Sequence, residues 1–90
     1  MKQYVMFDLG KDVSNQRKHG LSLADAGRLD WDALRIQADA RRDYREDRLV
    51  GYGLLHGRLH CVVFTPRDGA IRVISFRRAN NREIKEYEQD

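Results

Sequence analysis

The 90-residue chain has a single cysteine, so no disulfide within the chain can brace it. Cys61 stands in the apolar run Cys61-Val62-Val63-Phe64 and reads as a small buried hydrophobe, not a nucleophile. No apolar stretch approaches the roughly 20 residues that a membrane-spanning helix needs. The opening Met1-Lys2-Gln3-Tyr4 carries no signal-peptide pattern, so a cytoplasmic location is expected. Low-complexity segments, internal repeats and linkers are also lacking, and residues 1–90 are expected to form one domain with one modest core. The three histidines and one cysteine share no metal-ligand spacing, so no metal site and no other cofactor is expected.

What the chain does have is charge. Seventeen Lys and Arg oppose fourteen Asp and Glu, a net charge of +3. The excess is unevenly placed: Arg58, Arg67, Arg72, Arg77, Arg78 and Arg82 are opposed only by Asp68 over that stretch. Clustered arginines favour a polyanionic partner, because they displace condensed counterions from phosphates. A solvated basic face explains the same charge equally well.

Tyr4 to Phe7 suits a short first strand. Lys11 to His19 has helix-forming composition and ends at Gly20, which favours a left-handed helix terminus. Ser22 then caps a second helix that fades near Leu29, with Asp25 as the acidic partner of a capping box. Trp31, Leu34 and Ile36 make a weak strand or extended segment, with Trp31 expected to anchor in the core. A charged loop runs from Asp39 to Asp47. Three stronger strands follow, Leu49 to Leu55, Leu59 to Thr65 and Ile71 to Arg77. They are joined by His56-Gly57-Arg58 and by Pro66-Arg67-Asp68-Gly69. Asn80 with Glu83 caps a terminal helix carrying Ile84 and Tyr87. The expected fold is α+β, ordered β-α-α-β-β-β(-β)-α, with an antiparallel sheet and its helices packed on one face. The other face is left at least partly open, and the arginines at strand ends are expected to converge there.

Three stretches resemble the BrnT family of type II toxin–antitoxin toxins. The first is Phe7-Asp8, Lys11, Asn15 and Lys18-His19-Gly20, similar to the family's opening W-D-x-x-K-x-x-x-N-x-x-K-H-G with Phe in place of Trp. The second is Arg41-Arg42-Asp43-Tyr44-Arg45-Glu46-Asp47-Arg48. The third runs through Val62-Val63-Phe64-Thr65-Pro66-Arg67 and Arg72-Val73-Ile74-Ser75-Phe76-Arg77-Arg78-Ala79 to Glu83 and Tyr87. The resemblance implies a RelE/ParE-like fold and RNA cleavage that arrests translation. It also implies neutralisation by a BrnA-type ribbon-helix-helix antitoxin, whose complex with the toxin represses operator DNA.

RNA supplies its own nucleophile, the 2′-hydroxyl. A metal-independent endoribonuclease therefore needs a base beside that hydroxyl, cations around the phosphate and an acid for the leaving oxygen. Arg67 and Arg77, each ending a strand, suit the phosphate because their planar forks bind its oxygens and stay charged. Under the resemblance His19 is the candidate acid or base, although a plain helix-terminal histidine fits the same position. Glu46, between Arg45 and Arg48, is a second candidate base or one more charge of a solvated loop. Lys11, Lys18, Arg42, Arg72, Arg78, Arg82 and Tyr87 are candidates for holding RNA. Arg72 also reads as a surface salt-bridge partner, and Tyr87 as packing with Ile84 against the sheet. The alternative function is a non-catalytic basic module that acts through its antitoxin and operator DNA.

Overall fold

The structure, a computed structural model, describes residues 1–39 and 47–89. Strand β1 (Val5–Met6) ends where Asp8 turns the chain into helix α1 (Leu9–His19), its carboxylate accepting from the Lys11 amide at 3.0 Å. Gly20 closes that helix at φ 71°, a left-handed conformation that costs glycine nothing, and its N–H returns to the Gln16 carbonyl. The expected second helix is a 3₁₀ helix, Leu23–Arg28, and a 3₁₀ turn at Trp31–Ala33 follows it. Ser22 caps as expected, but Asp25 does not complete a box. Asp12 of α1 fills that role: its Oδ1 accepts from the Leu23 amide at 2.7 Å and from Ser22 Oγ at 3.0 Å. The Leu23 bond is the main cause of the lowered Asp12 pKa.

Strands β2 (Arg35–Ala38), β3 (Leu49–Leu55), β4 (Arg58–Arg67) and β5 (Ala70–Arg78) form an antiparallel meander, and α2 (Asn81–Glu88) follows. The sheet order is β1-β5-β4-β3-β2, with β1 parallel to β5. The sheet is therefore mixed, where a purely antiparallel one was expected. The difference arises because the first strand docks beside the last instead of joining the meander. β4 also runs on through Pro66 and Arg67, so the turn is Asp68-Gly69, both at positive φ.

Strand alternation divides the core. Leu23, Ala26, Leu29, Val62, Phe64, Val73 and Phe76 pack on one face, with Trp31 edge-on to Phe64 at 5.0 Å. On β3, Gly53 leaves room for the Leu34 side chain, which any Cβ there would strike. Val50, Cys61 and Val63 form a smaller cluster on the other face, and α2 is tied over that face by Glu83. The helices thus lie on both sides of the sheet, a second correction to the expected layering. Its reason is the Asn80–Glu83 capping box, which turns the chain towards Tyr52 and Arg77.

Asn15 explains its place in the opening motif. β1 covers only the start of β5, so Phe76 presents edge hydrogen-bonding groups that no strand meets. The Asn15 amide takes both, donating to the Phe76 carbonyl at 2.8 Å and accepting from its N–H at 3.1 Å. It also donates to Leu21 O at 2.8 Å. Asn15→Ala leaves three backbone groups without that partner, two of them buried, and a loss of about 3 kcal/mol is expected in denaturant unfolding. A loss below about 0.5 kcal/mol would contradict this account of the residue.

Candidate active site

On the face that α2 covers only in part, a groove of about 490 Å³ lies between β2–β5 and the start of α2. Ser75, Arg77, Asn80, Arg82 and Glu83 line one side; Asp39, Val50 and Tyr52 line the other. Arg77 points into this groove from β5 but is not free. Its Nη1 donates to Glu83 Oε1 at 2.8 Å and its Nη2 to Glu83 Oε2 at 2.9 Å, a bidentate fork. Tyr52 donates to Glu83 Oε2 at 2.9 Å and the Asn80 amide to Oε1 at 2.9 Å. Glu83 is only 7% exposed, yet its charge is fully met. The Arg77 hydrogen bonds hold its pKa down to about 2 against the opposing effect of burial. The same pair raises Arg77 above its usual range, and burial, with the Cys61 thiol and Glu83 behind it, raises the Tyr52 phenol.

His19 ends α1 beside this corner of β5. Burial lowers its pKa, and the positive charges of Arg77 and then Lys18 lower it further. The ring is thus kept neutral and able to accept a proton at physiological pH. Arg82 opens α2 on the groove wall, largely exposed and 4.0 Å from Glu86. His19, Arg77 and Arg82 are brought to one end of the sheet.

Arg67 is not. Antiparallel pairing sets Arg67 against Ala70 and Arg77 against Cys61. Six residues of β4 separate the two positions, about 20 Å at the usual rise, so both cannot grip one phosphate. Arg67 instead lines a second groove with Arg72, Met6 and Asp8. Lys11 is exposed on α1, and Arg78 emerges from the face opposite Arg77. Tyr87 packs as well as it can stack: the Arg35 guanidinium sits 3.9 Å above its ring and donates to its carbonyl at 2.6 Å. Glu46 and Arg42 lie outside the described residues, as do Arg41, Asp43, Tyr44 and Arg45.

Sequence reasoning missed the role of Glu83 as the anion that positions Arg77, and missed Tyr52 altogether. The Glu83 signal was present, since the residue both completes a capping box and stands in the third motif. Tyr52 carried none, because its pairing with Glu83 bridges 31 positions of chain.

Among the described residues no group of three or more His, Cys, Asp and Glu is placed to hold a metal, and no helix is long and apolar enough to cross a membrane. Comparison with curated proteins gives no match. Residues 7–83 match the profile of a family described as the ribonuclease toxin, BrnT, of a type II toxin–antitoxin system. That match spans most of the chain and includes His19, Arg67, Arg77 and Glu83, and the chain therefore belongs to the BrnT family of ribonuclease toxins.

Proposed function

We propose that the chain is a metal-independent endoribonuclease of RelE/ParE-like type that cleaves RNA at the His19–Arg77–Arg82 end of its sheet and so arrests translation. The observation that carries this reading is a rigidly held arginine in an open groove, near enough to His19 for its charge to lower that histidine's pKa. His19 takes the proton of the 2′-hydroxyl, and the 2′-oxygen attacks phosphorus. The bond from phosphorus to the 5′-oxygen breaks, and that oxygen leaves with a proton from water. The products are a 2′,3′-cyclic phosphate and a 5′-hydroxyl. Arg77 and Arg82 supply the positive charge that the pentavalent transition state needs, with the Glu83 fork fixing where Arg77 points.

A type II toxin has an antitoxin partner. Here it is taken to be a BrnA-type ribbon-helix-helix protein, with operator DNA bound through the complex and both proteins cytoplasmic. The test is cleavage of a single-stranded RNA by the purified chain in EDTA, with the ends of the fragments identified. Undiminished cleavage with cyclic or 3′-phosphate ends is expected. Cleavage that needs added magnesium would overturn the mechanism. No cleavage at all by folded protein would favour the non-catalytic antitoxin-binding module.

Arg67 and Arg72, which line the second groove, are taken to guide the RNA backbone away from the reacting bond. Arg67→Ala is expected to lower the slope of log affinity against log salt by about 0.7, the value for one single-strand phosphate contact, while the rate at saturating RNA stays unchanged. A hundredfold fall in that rate would return Arg67 to the chemistry.

A further inference from the structure

The same end of the sheet, where β4 begins and β5 ends, holds on its opposite face a polar group that the proposed chemistry does not use. His60 is 4% exposed, and its ring stacks on Phe76 with centroids 5.2 Å apart. Its Nδ1 lies 2.8 Å from the Arg58 carbonyl, which can only accept. The ring proton therefore sits on Nδ1 and the Nε2 lone pair is left over. Nε2 has no hydrogen-bond partner in the described structure, and it is not among the atoms sealed from solvent. Burial is the largest effect on this ring and favours the neutral form. The Arg58 carbonyl opposes it, and the charges of Arg78, Arg58 and His56 reinforce it.

Two cations share the face of that ring, and their charges reach it. Arg78 is the register partner of His60, so their Cβ atoms stand about 5 Å apart on one face. Arg58, two residues before His60, projects to the same side about 7 Å away. Both arginines are exposed, and neither forms an ion pair with a described carboxylate. Arg28 and His56, joined at 3.0 Å, add further basic groups at the rim, with Asp25 4.0 Å from Arg28. A single buried acceptor beside two unpaired arginines is complementary to one donor next to one anion. In nucleic acids that pairing is the ribose 2′-hydroxyl and its adjoining 3′-phosphate.

We propose that His60, Arg58 and Arg78 form a ribose-phosphate subsite, in which His60 Nε2 accepts from a 2′-hydroxyl and the two arginines bind the neighbouring phosphate. The subsite rests on the reading that RNA is the substrate, and gives the chain a means of telling RNA from DNA. Arg78 follows Arg77 directly but emerges from the opposite face, so a nucleotide held here lies around the end of the sheet from the one at the proposed cleavage site. His60 binds in this scheme and takes no part in breaking the bond.

The experiment uses the full chain with uridine 3′-monophosphate and its 2′-deoxy counterpart, neither of which can be cleaved. Nitrogen-15 NMR of the imidazoles reads the His60 Nε2 resonance during titration. The ribonucleotide is expected to shift that resonance and to bind roughly three- to tenfold tighter than the deoxynucleotide, the range of one hydrogen bond. His60→Phe, which keeps the stack on Phe76, is expected to abolish the preference but retain phosphate binding. His60→Gln, which keeps an acceptor, is expected to preserve part of it. Arg58→Gln and Arg78→Gln should weaken both nucleotides alike. An unmoved Nε2 resonance, equal affinities in the wild type, or a preference that survives His60→Phe in folded protein would overturn the subsite. Cleavage of long RNA, measured alongside, separates the two claims. Cleavage without ribose preference leaves the ribonuclease reading standing and removes the subsite; ribose preference without cleavage does the reverse.

Discussion

Arg77→Ala is expected to destabilise the fold by about 3 kcal/mol, the lower end of what breaking a buried ion pair costs, because the Arg77 side chain is 32% exposed. For a chain of this length the melting temperature should fall by about 12 to 24 °C. Without the fork, Glu83 stays almost fully buried with only Tyr52 and the Asn80 amide to meet its charge. The pH dependence checks the cause. A carboxylate whose folded pKa is depressed contributes stability above its ordinary pKa near 4.5 and loses it as pH falls through about 2. Wild-type protein should therefore lose stability across that acid window, whereas Arg77→Ala should change much less there. Arg77→Met with Glu83→Leu removes both charges and should recover most of the loss. A single variant that melts within about 2 °C of wild type would show that the pair contributes little. Loss of toxicity in Arg77→Ala thus mixes chemistry with unfolding. Arg77→Lys, which keeps a charge beside Glu83 but not the fork, is the cleaner probe of catalysis.

Strands β4 and β5 were legible in the sequence because each is a run rich in β-branched residues beside a glycine turn, and such signals are local, whereas β2, with Ile36 alone, gave only a weak one. The Asn80–Glu83 box and the Gly20 terminus were legible for the same reason. The place of β1 was not, since nothing in Val5-Met6 records that it lies beside Ile71 and Arg72. The side of the sheet taken by α2 was equally hidden, being fixed by Tyr52, Arg77 and Glu83 together. The same limit misled the reading of the site. Arg67 and Arg77 both sit near strand ends, but neighbouring antiparallel strands end at opposite edges of the sheet, so ends close in sequence order lie far apart in space. Asn15, by contrast, was visible only as part of a motif, and its three backbone bonds supply the physical reason for it.

His19→Ala is expected to slow RNA cleavage by roughly two to four orders of magnitude, the contribution of a positioned general base, while leaving stability nearly unchanged. The fold has little to lose there. The ring is exposed at the last position of α1, and the turn that ends the helix is closed by the Gly20 amide and the Gln16 carbonyl. Chemistry has more to lose, because no other histidine stands where the Arg77 charge reaches it as strongly. The pH–rate profile separates a base from a residue that merely binds. A base must be neutral to work, so the rate should rise with pH through the His19 pKa. Burial, Arg77 and Lys18 all lower that pKa, which puts the rising limb below the usual histidine value of 6.5. In His19→Ala that limb should vanish along with most of the rate. His19→Gln, which can accept a hydrogen bond but cannot take up a proton, should bind RNA normally and remain as slow as the alanine variant. The measurement is single-turnover cleavage at saturating RNA from pH 4.5 to 8, beside thermal melting of each protein. A variant that melts normally and cleaves within threefold of wild type would remove His19 from the chemistry. An acid limb that persists without it would place the base on another residue.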